Sequence, residues 1–378
     1  MRDLVEIGMG RTARRTYELD DVNIVPSRRT RSSQDVSTAW QLDAYRFEIP
    51  VVAHPTDALV SPRFAVELGR AGGLGVINGE GLWGRHADVE ARIAEVVEVA
   101  QKEPEPSSAI RLLQQLHSAP IDPELLAAAI AEVRGAGVTT AVRVSPQNAQ
   151  LLTPHLISAG IDLLVIHGTI VSAERVARDG EPLNLKTFIS ELDIPVVAGG
   201  VIDHRTALHL MRTGAAGVIV GYGQTAGATT SGEVLGISVA MATAIADAAA
   251  ARREYLDETG GRYVHVLADG DIHTSGDLAK SIACGADAVV LGTPLAAAQE
   301  AAGDGWFWPN AAAHPSLPRG ALLQVAVGER PPLSEVLAGP SDDPFGTLNL
   351  VGGLRRSMAK SGYCDLKEFQ KVGLTVNS

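Results

Sequence analysis

The sequence predicts an α/β protein built as a single TIM, or (β/α)8, barrel. Eight short apolar runs recur along the 378 residues. Each is followed by a turn signal and then by a segment with helical periodicity, which is the pattern of a parallel sheet. An apolar fraction of 46% with only 4% aromatic residues, together with 39 glycines, favours short strands and helices joined by tight turns. The length alone allows either two average domains or one large barrel.

The eight predicted strands lie at residues 50–53, 74–78, 138–144, 162–167, 195–198, 217–221, 263–268 and 287–291. The clearest helices are expected to begin after Ser61, at Pro123 and near Ser275, which are residue types favoured at helix starts. This alternation accounts for a complete barrel without a second domain.

Outside the regular alternation, the sequence predicts an N-terminal arm over residues 1–45 and a barrel over 46–378. We expect the arm to cover the barrel floor or a neighbouring subunit. Residues of about 79–120 have helical pattern but no strand signal, so they form a decorated connection after the second strand. Residues of about 302–350 are rich in proline and glycine and are expected to form an irregular, flap-like segment.

The charge and the cysteine content exclude several classes of protein. A net charge of -12 repels polyphosphate chains and anionic lipid, so neither a nucleic acid polymer nor a membrane is an expected partner. A single phosphate group can still bind through local backbone amides. The two cysteines, Cys284 and Cys364, do not form a disulfide framework and fit a reducing compartment. With no signal-peptide pattern and no apolar run of about 18 residues, the expected location is the cytoplasm.

The loops after the seventh and eighth strands have the composition of a phosphate site. In TIM barrels these two loops often bind phosphate. Gly270 and Gly292 let a backbone approach phosphate oxygens, and Thr293 offers a hydroxyl. Asp269, at the end of the seventh strand, is suited to accept hydrogen bonds from two neighbouring ribose hydroxyls. The alternative interpretation is that the glycines only make turns and that Asp269 caps the next helix.

At these loops the chain resembles a known family, and the resemblance extends over nearly the whole chain. The segment ADGDIHTSGDLAKSIACGADAVVLGT, residues 268–293, is similar to the corresponding segment of IMP dehydrogenases and GMP reductases. Residues 19–26, 49–52, 72–77 and 352–355 resemble the family as well. The closest resemblance is to paralogues that lack the CBS pair usually inserted after the second strand. The resemblance implies a purine mononucleotide (IMP, GMP or XMP) as substrate, NAD or NADP as cofactor, and a homo-tetramer or homo-octamer.

The loop after the sixth strand departs from the family pattern G-x-G-x-G-S-x-C-x-T. The position of the nucleophilic cysteine is occupied by Ala228, and a methyl group cannot attack a purine. Neither Cys284 nor Cys364 is expected to replace it. Thr230 aligns with a threonine that takes part in proton relay, and Arg319 is the nearest candidate for the basic group of the family's flap. We therefore assign Thr230 and Arg319 to catalysis by resemblance.

Further site residues follow from the same resemblance. His167 stands where the family has an aspartate that contacts the nicotinamide ribose, so His167, Gly168 and Gly221 are predicted to bind cofactor. Gly223 and Thr56 are predicted, with the phosphate loops, to bind substrate. No metal site is predicted.

Two polar features of the mouth carry open alternatives. After the first strand, His54 and Asp57 form either a polar pair facing the barrel mouth or a packing contact at the strand end. The family's Gly-Gly after the ribose aspartate is Gly270-Asp271 here. A carboxylate at Asp271 would repel phosphate unless it points away or meets a cation.

Three functions remain open at this point. The first is an IMP dehydrogenase-related oxidoreductase. The second is a non-catalytic purine-nucleotide-binding regulatory paralogue, which accounts for a retained nucleotide site beside a lost cysteine. The third is an FMN-dependent barrel oxidoreductase, because flavin barrels use a similar phosphate site.

Overall fold

A computed structural model of the protein describes residues 4–102, 107–173, 183–223, 231–316 and 320–377. It contains eight parallel strands in one sheet, which confirms the predicted barrel. The barrel strands are β1 (Val51–Ala53), β2 (Val76–Asn78), β3 (Ala141–Val144), β4 (Leu163–His167), β5 (Val196–Val201), β6 (Gly217–Val220), β7 (His265–Ala268) and β8 (Ala288–Leu291). Each predicted strand overlaps one of them.

The sheet closes between β1 and β2. The Ala53 amide donates to the Leu74 carbonyl at 2.8 Å, and the Leu74 amide donates to the Val51 carbonyl at 3.0 Å. Around the rest of the barrel, neighbours in sequence are neighbours in space, and β8 pairs with β1. The strands are buried almost throughout, as expected when helices cover a parallel sheet.

The helices are α1 (Pro62–Arg70), α2 (Val89–Lys102), α3 (Ser107–His117), α4 (Pro123–Gly135), α5 (Ala149–Ala159), α6 (Leu185–Ser190), α7 (His204–Met211), α8 (Ser231–Leu235), α9 (Met241–Thr259), α10 (Ser275–Cys284), α11 (Thr293–Ala296), α12 (Leu333–Ala338), α13 (Leu350–Lys360) and α14 (Leu366–Phe369). None of those described is long and apolar enough to cross a membrane.

The predicted helix starts have a physical basis in the structure. Ser61 caps α1 by accepting a hydrogen bond from the Phe64 amide. The cap of α10 is Thr274, one residue before the predicted start, and it forms a capping box with Asp277. These local interactions explain why the helix starts are readable from sequence.

Short strands and turns complete the fold. A hairpin of Trp40–Leu42 and Tyr45–Phe47 lies at the barrel floor, where Leu42 is fully buried. A Cβ at Gly217, the first residue of β6, would lie 3.3 Å from the Leu42 side chain. This part of the N-terminal arm therefore packs against the barrel of its own chain. The remaining strands are Leu4–Gly8 with Arg11–Arg14, Val22–Ile24 with Leu374–Val376, and Trp306–Phe307 with Leu323–Gln324, and the 3-10 turns are Leu19–Asp21, Ser33–Asp35, Leu82–Gly84 and Asn310–Ala313.

The insertion and the flap-like segment pack together. Helices α2 and α3 share a second hydrophobic cluster with the segment that follows β8. Its most deeply buried members include Leu82, Val96, Leu113, Trp308 and Ala312. Ala313 of this cluster also lines the cavity described next.

Candidate active site

A cavity of about 700 Å3 opens at the carboxyl ends of the barrel strands, where barrel enzymes place their active sites. Its volume is typical of small-molecule and cofactor sites. The barrel residues that line it at the strand ends include His54, Arg143, His167, Gly221 and Asp269. The opposite wall contains Arg85, His117 and residues of the flap-like segment from Pro309 to Pro315.

Asp269 and two histidines form a buried cluster in this cavity. Nδ1 of His54 and Nε2 of His167 each lie 3.3 Å from Oδ2 of Asp269. The two imidazole rings meet edge to face, with centroids 5.6 Å apart. Neither nitrogen meets the angular requirements of a hydrogen bond, so these are close ionic contacts that a small rotation of either ring would align. We call these three side chains the His-Asp-His cluster.

Burial and charge oppose each other within the His-Asp-His cluster. Burial raises the pKa of Asp269, but attraction to His54 and contact with His167 outweigh it and hold that pKa below the usual carboxyl range. Burial lowers the pKa of His167, and the nearby Asp269 carboxylate only partly offsets this effect. The stable arrangement is an ionised Asp269 beside a neutral His167.

The cluster leaves polar atoms without partners. Oδ1 of Asp269 is buried and has no hydrogen-bond partner among the described residues. Among the described residues, none forms a hydrogen bond with Nε2 of His54. The His54 ring lines the cavity. A buried acceptor of this kind is costly unless a ligand or water satisfies it. The cluster is therefore suited to receive hydroxyl or amine donors.

Two predicted glycines border the cluster. Gly221 has a φ of 103°, and a Cβ there would come within 1.9 Å of the Asp269 carbonyl oxygen. Gly223 has a φ of 86°, and its Cβ would lie 3.1 Å from Cε1 of His54. Glycine is required at both positions by backbone geometry and close approach. Both line the cavity, so their predicted ligand roles remain open.

On the phosphate side, Asp271 faces the imidazole of His273. Nε2 of His273 lies 3.7 Å from Oδ1 of Asp271, and Nδ1 of His273 lies 3.4 Å from the Thr293 hydroxyl. Contact with Asp271 raises the pKa of His273 despite its partial burial. His273 thus links the loops after β7 and β8. Gly270 and Asp271 line the cavity, while Gly292 precedes the one-turn helix α11.

A buried arginine lies on the opposite side of the His-Asp-His cluster. Nη2 of Arg143 donates to the His167 carbonyl at 2.7 Å, and Nη1 lies 3.5 Å from Oε2 of Glu80. Burial lowers the pKa of Arg143, but a guanidinium remains charged at neutral pH. Its Nε has no hydrogen-bond partner among the described residues. The cavity therefore contains a buried ion pair of Arg143 and Glu80.

Of the two alternatives for His54 and Asp57, the structure excludes the polar pair, because each residue has another partner. Oδ2 of Asp57 lies 3.0 Å from Nε2 of His117 on α3, whereas His54 faces Asp269. Thr56 is fully buried, and its hydroxyl donates to the Trp308 carbonyl at 2.6 Å. Thr56 thus anchors the flap-like segment, and its role in substrate binding remains a prediction.

The two catalytic assignments, Thr230 and Arg319, lie outside the described residues, and so does Ala228 at the nucleophile position. Of the two cysteines, Cys284 remains a neutral thiol at pH 7, because burial raises its pKa to about 11. Gly168 lines the cavity beside His167, as expected for a cofactor contact, though no bound ligand tests that role. Within the described ranges, no three His, Cys, Asp or Glu side chains are grouped to hold a metal ion.

Sequence reasoning missed two site residues. Arg143 interrupts the apolar run of β3, and a charged residue in a buried strand is the signal that identifies it. His273 gave no such signal, because its position between two loops depends on the closure of the barrel.

Comparison with known proteins agrees with this architecture. A family model described as IMP dehydrogenase / GMP reductase domain matches residues 16–314. A protein of Mycolicibacterium smegmatis, named an uncharacterized oxidoreductase, is 86% identical over 99% of this chain and 100% of its own length. The inosine-5'-monophosphate dehydrogenase of Methanocaldococcus jannaschii is 26% identical over 95% of this chain and 92% of its own. A crystal structure of an IMP dehydrogenase/GMP reductase-like protein from Corynebacterium glutamicum, 59% identical, matches with a TM-score of 0.93 over 99% of this chain and 98% of that one.

Proposed function

Because the chain belongs to the IMP dehydrogenase/GMP reductase family, we propose that it is an oxidoreductase that acts on a purine nucleoside monophosphate with NAD or NADP. The observation that carries the proposal is the unsatisfied Oδ1 of Asp269 at the end of β7. An ionised carboxylate with one open oxygen is suited to accept a hydrogen bond from a ribose hydroxyl. Its burial makes that bond worth more than it would be at the surface.

The phosphate would bind beside Gly270, Gly292 and Thr293. A carboxylate at Asp271 would repel phosphate, but His273 lies next to it, and the contact with Asp271 raises the pKa of His273 and so favours its protonated form. The two loops are held together by the contact of His273 with Thr293. This arrangement supports a monophosphate rather than a longer polyphosphate, because His273 is the only basic side chain among the described residues of these two loops.

The wall that carries Arg143 fits a nicotinamide dinucleotide. Arg143 and Arg85 both line the cavity and would donate hydrogen bonds to an anionic ligand there. Gly168 leaves space next to His167 for a sugar or a ring. When bound, the dinucleotide would exchange a hydride with the purine. The volume of about 700 Å3 suits a mononucleotide together with the reactive half of the dinucleotide.

A second candidate is a non-catalytic nucleotide binder that regulates an active paralogue. It is favoured by one feature, the alanine at position 228 where the family pattern has its nucleophile. Under either proposal we expect the protein in the cytoplasm as a homo-tetramer or homo-octamer.

The proposed function is tested with purified full-length protein, each of IMP, GMP and XMP, and each of the oxidised and reduced nicotinamide cofactors. Steady change in absorbance at 340 nm with one nucleotide would support the oxidoreductase. A thermal shift with nucleotide but no turnover would support the binder. Absence of both, or a yellow flavin spectrum in the purified protein, would contradict the proposal.

A further inference from the structure

His54 is held at the barrel mouth with one ring nitrogen directed to a carboxylate and the other available. It follows β1 directly, and its backbone amide donates to the Leu291 carbonyl of β8 at 2.8 Å. Its Nδ1 faces Oδ2 of Asp269 at 3.3 Å, which favours the tautomer with the proton on Nδ1. In that tautomer Nε2 is a proton acceptor. The ring is only 7% exposed, so this acceptor works in a largely dry site.

The space beside this ring edge is preserved by Gly223. A Cβ at position 223 would lie 3.1 Å from Cε1 and 3.7 Å from Nε2 of His54. Any larger side chain would occupy the volume next to the acceptor nitrogen. The acceptor edge of His54 is therefore left open beside Gly223.

A carboxylate that orients an imidazole, whose second nitrogen is open to a reactant, is the arrangement of a general base. In structures without ligand such contacts are often loose and tighten when substrate binds, which fits the off-axis 3.3 Å contact here. His167 contacts the same oxygen of Asp269. It is the weaker candidate for a base, because burial lowers its pKa and because its carbonyl accepts a hydrogen bond from Arg143.

We propose that His54, positioned by Asp269, is the general base that activates water in place of the missing thiolate. This inference rests on the proposed oxidoreductase function. In the dehydrogenase direction, the water oxygen forms a bond to the purine C2, and the water proton passes to Nε2 of His54. The C2 hydrogen leaves with its electron pair to the oxidised nicotinamide. The sum is nucleotide plus water plus NAD(P)+ giving hydroxylated nucleotide, NAD(P)H and a proton, so atoms and electrons balance.

The simplest competing explanation is that His54 only packs. The centroid of its ring lies 6.4 Å from that of Phe307 in the flap-like segment, and the ring meets His167 edge to face. His54 therefore packs against two other rings. If His54 only packs, any loss of activity in a variant should be accompanied by losses of stability and of nucleotide binding. A base would change the rate and its pH dependence while binding remains.

The test compares wild type, His54→Gln and the control His155→Gln, whose histidine is exposed on α5. With IMP and NAD+ we measure kcat/KM against pH and the Kd of IMP by calorimetry. Imidazole 15N shifts of His54 with and without IMP give a readout that needs no turnover. We expect His54→Gln to lose about 100-fold or more in kcat and its pH-dependent limb, with Kd within about threefold. The free protein should show the Nδ1-protonated tautomer.

Several outcomes would overturn this inference. One is a His54→Gln enzyme that retains wild-type turnover and pH profile. Another is a protonated Nε2 in the neutral ring. Binding of IMP without turnover by wild type would also overturn it, while leaving nucleotide binding in place. Failure of wild type to bind any purine monophosphate would instead remove the proposed function itself.

Discussion

Nδ1 of His54 and Nε2 of His167 lie at the same distance, 3.3 Å, from one oxygen of Asp269. The three residues come from the ends of β1, β4 and β7, so the closed barrel alone brings them together. The other oxygen of Asp269 is left for a ligand. A single carboxylate can therefore orient an imidazole on one side and bind a ribose on the other.

The glycine at position 221 is expected to be indispensable for the site. In Gly221→Ala the new Cβ would meet the Asp269 carbonyl at 1.9 Å and must displace the end of β7. We expect loss of nucleotide binding and a marked fall in the thermal midpoint. Gly236→Ala is the matched control, since Gly236 also has a positive φ but no atom within 4 Å of its Cβ position. That control should cost only about 1 kcal/mol of unfolding free energy. Equal effects of the two substitutions would argue against the close approach.

His273 is expected to recognise the phosphate. In His273→Gln, affinity for IMP should fall while affinity for inosine, which lacks the phosphate, stays the same. Because Asp271 raises the pKa of His273, the wild-type preference for IMP over inosine should be largest below that pKa. It should decline as the pH rises through it. Calorimetry at several pH values measures both effects, and a preference independent of pH would exclude a charged His273 from the site.

A second buried carboxylate, Asp287, is expected to stabilise the barrel floor. It accepts hydrogen bonds from Arg252 at 2.8 Å and from the Tyr263 hydroxyl at 2.9 Å, and Lys367 also contacts it. Burial raises the pKa of Asp287, but Arg252 and Lys367 outweigh this and lower it to about 2. Asp287→Asn should reduce the free energy of unfolding at pH 7 by about 3 to 5 kcal/mol, because it leaves the buried guanidinium of Arg252 unpaired.

The same carboxylate predicts a pH dependence of stability. Its folded pKa lies below the unfolded value of about 3.9, so its contribution is fully present above about pH 4. It is lost as the pH falls toward 2. Urea unfolding of wild type across this range should show the loss, and Asp287→Asn should reduce it. The control Asp193→Asn changes an exposed carboxylate and should follow wild type. A pH profile of Asp287→Asn that matches wild type would contradict this role.

Sequence could predict the elements but only part of the site. Strand positions and helix starts depend on local patterns, such as the apolar run of β4 or the Ser61 cap, and the structure confirms them. The partner of His54 could not be predicted in this way. Asp57 is three residues from His54, yet it turns to His117 on α3, while Asp269 reaches His54 through the pairing of distant strands. Such contacts depend on barrel closure, which one sequence does not display.

The packing of the flap-like segment was unpredictable for the same reason. Trp308 belongs to a proline-rich stretch that suggests an irregular lid, but its ring is fully buried against the insertion of α2 and α3. The aromatic residues of this stretch indicated that it would pack against other apolar side chains. The partner surface could not be predicted, because the insertion lies about 200 residues earlier in the chain.

The most direct test of the account is calorimetric titration of IMP and GMP into wild type, Asp269→Asn and the control Asp193→Asn. Asn keeps the volume of Asp269 but removes the negative charge. That charge strengthens the hydrogen bond from the ribose hydroxyl and attracts His54. The account predicts saturable one-site binding to wild type and to the control, and at least about a tenfold weaker affinity in Asp269→Asn. Unchanged affinity in Asp269→Asn, or no binding of either nucleotide to wild type, would contradict it.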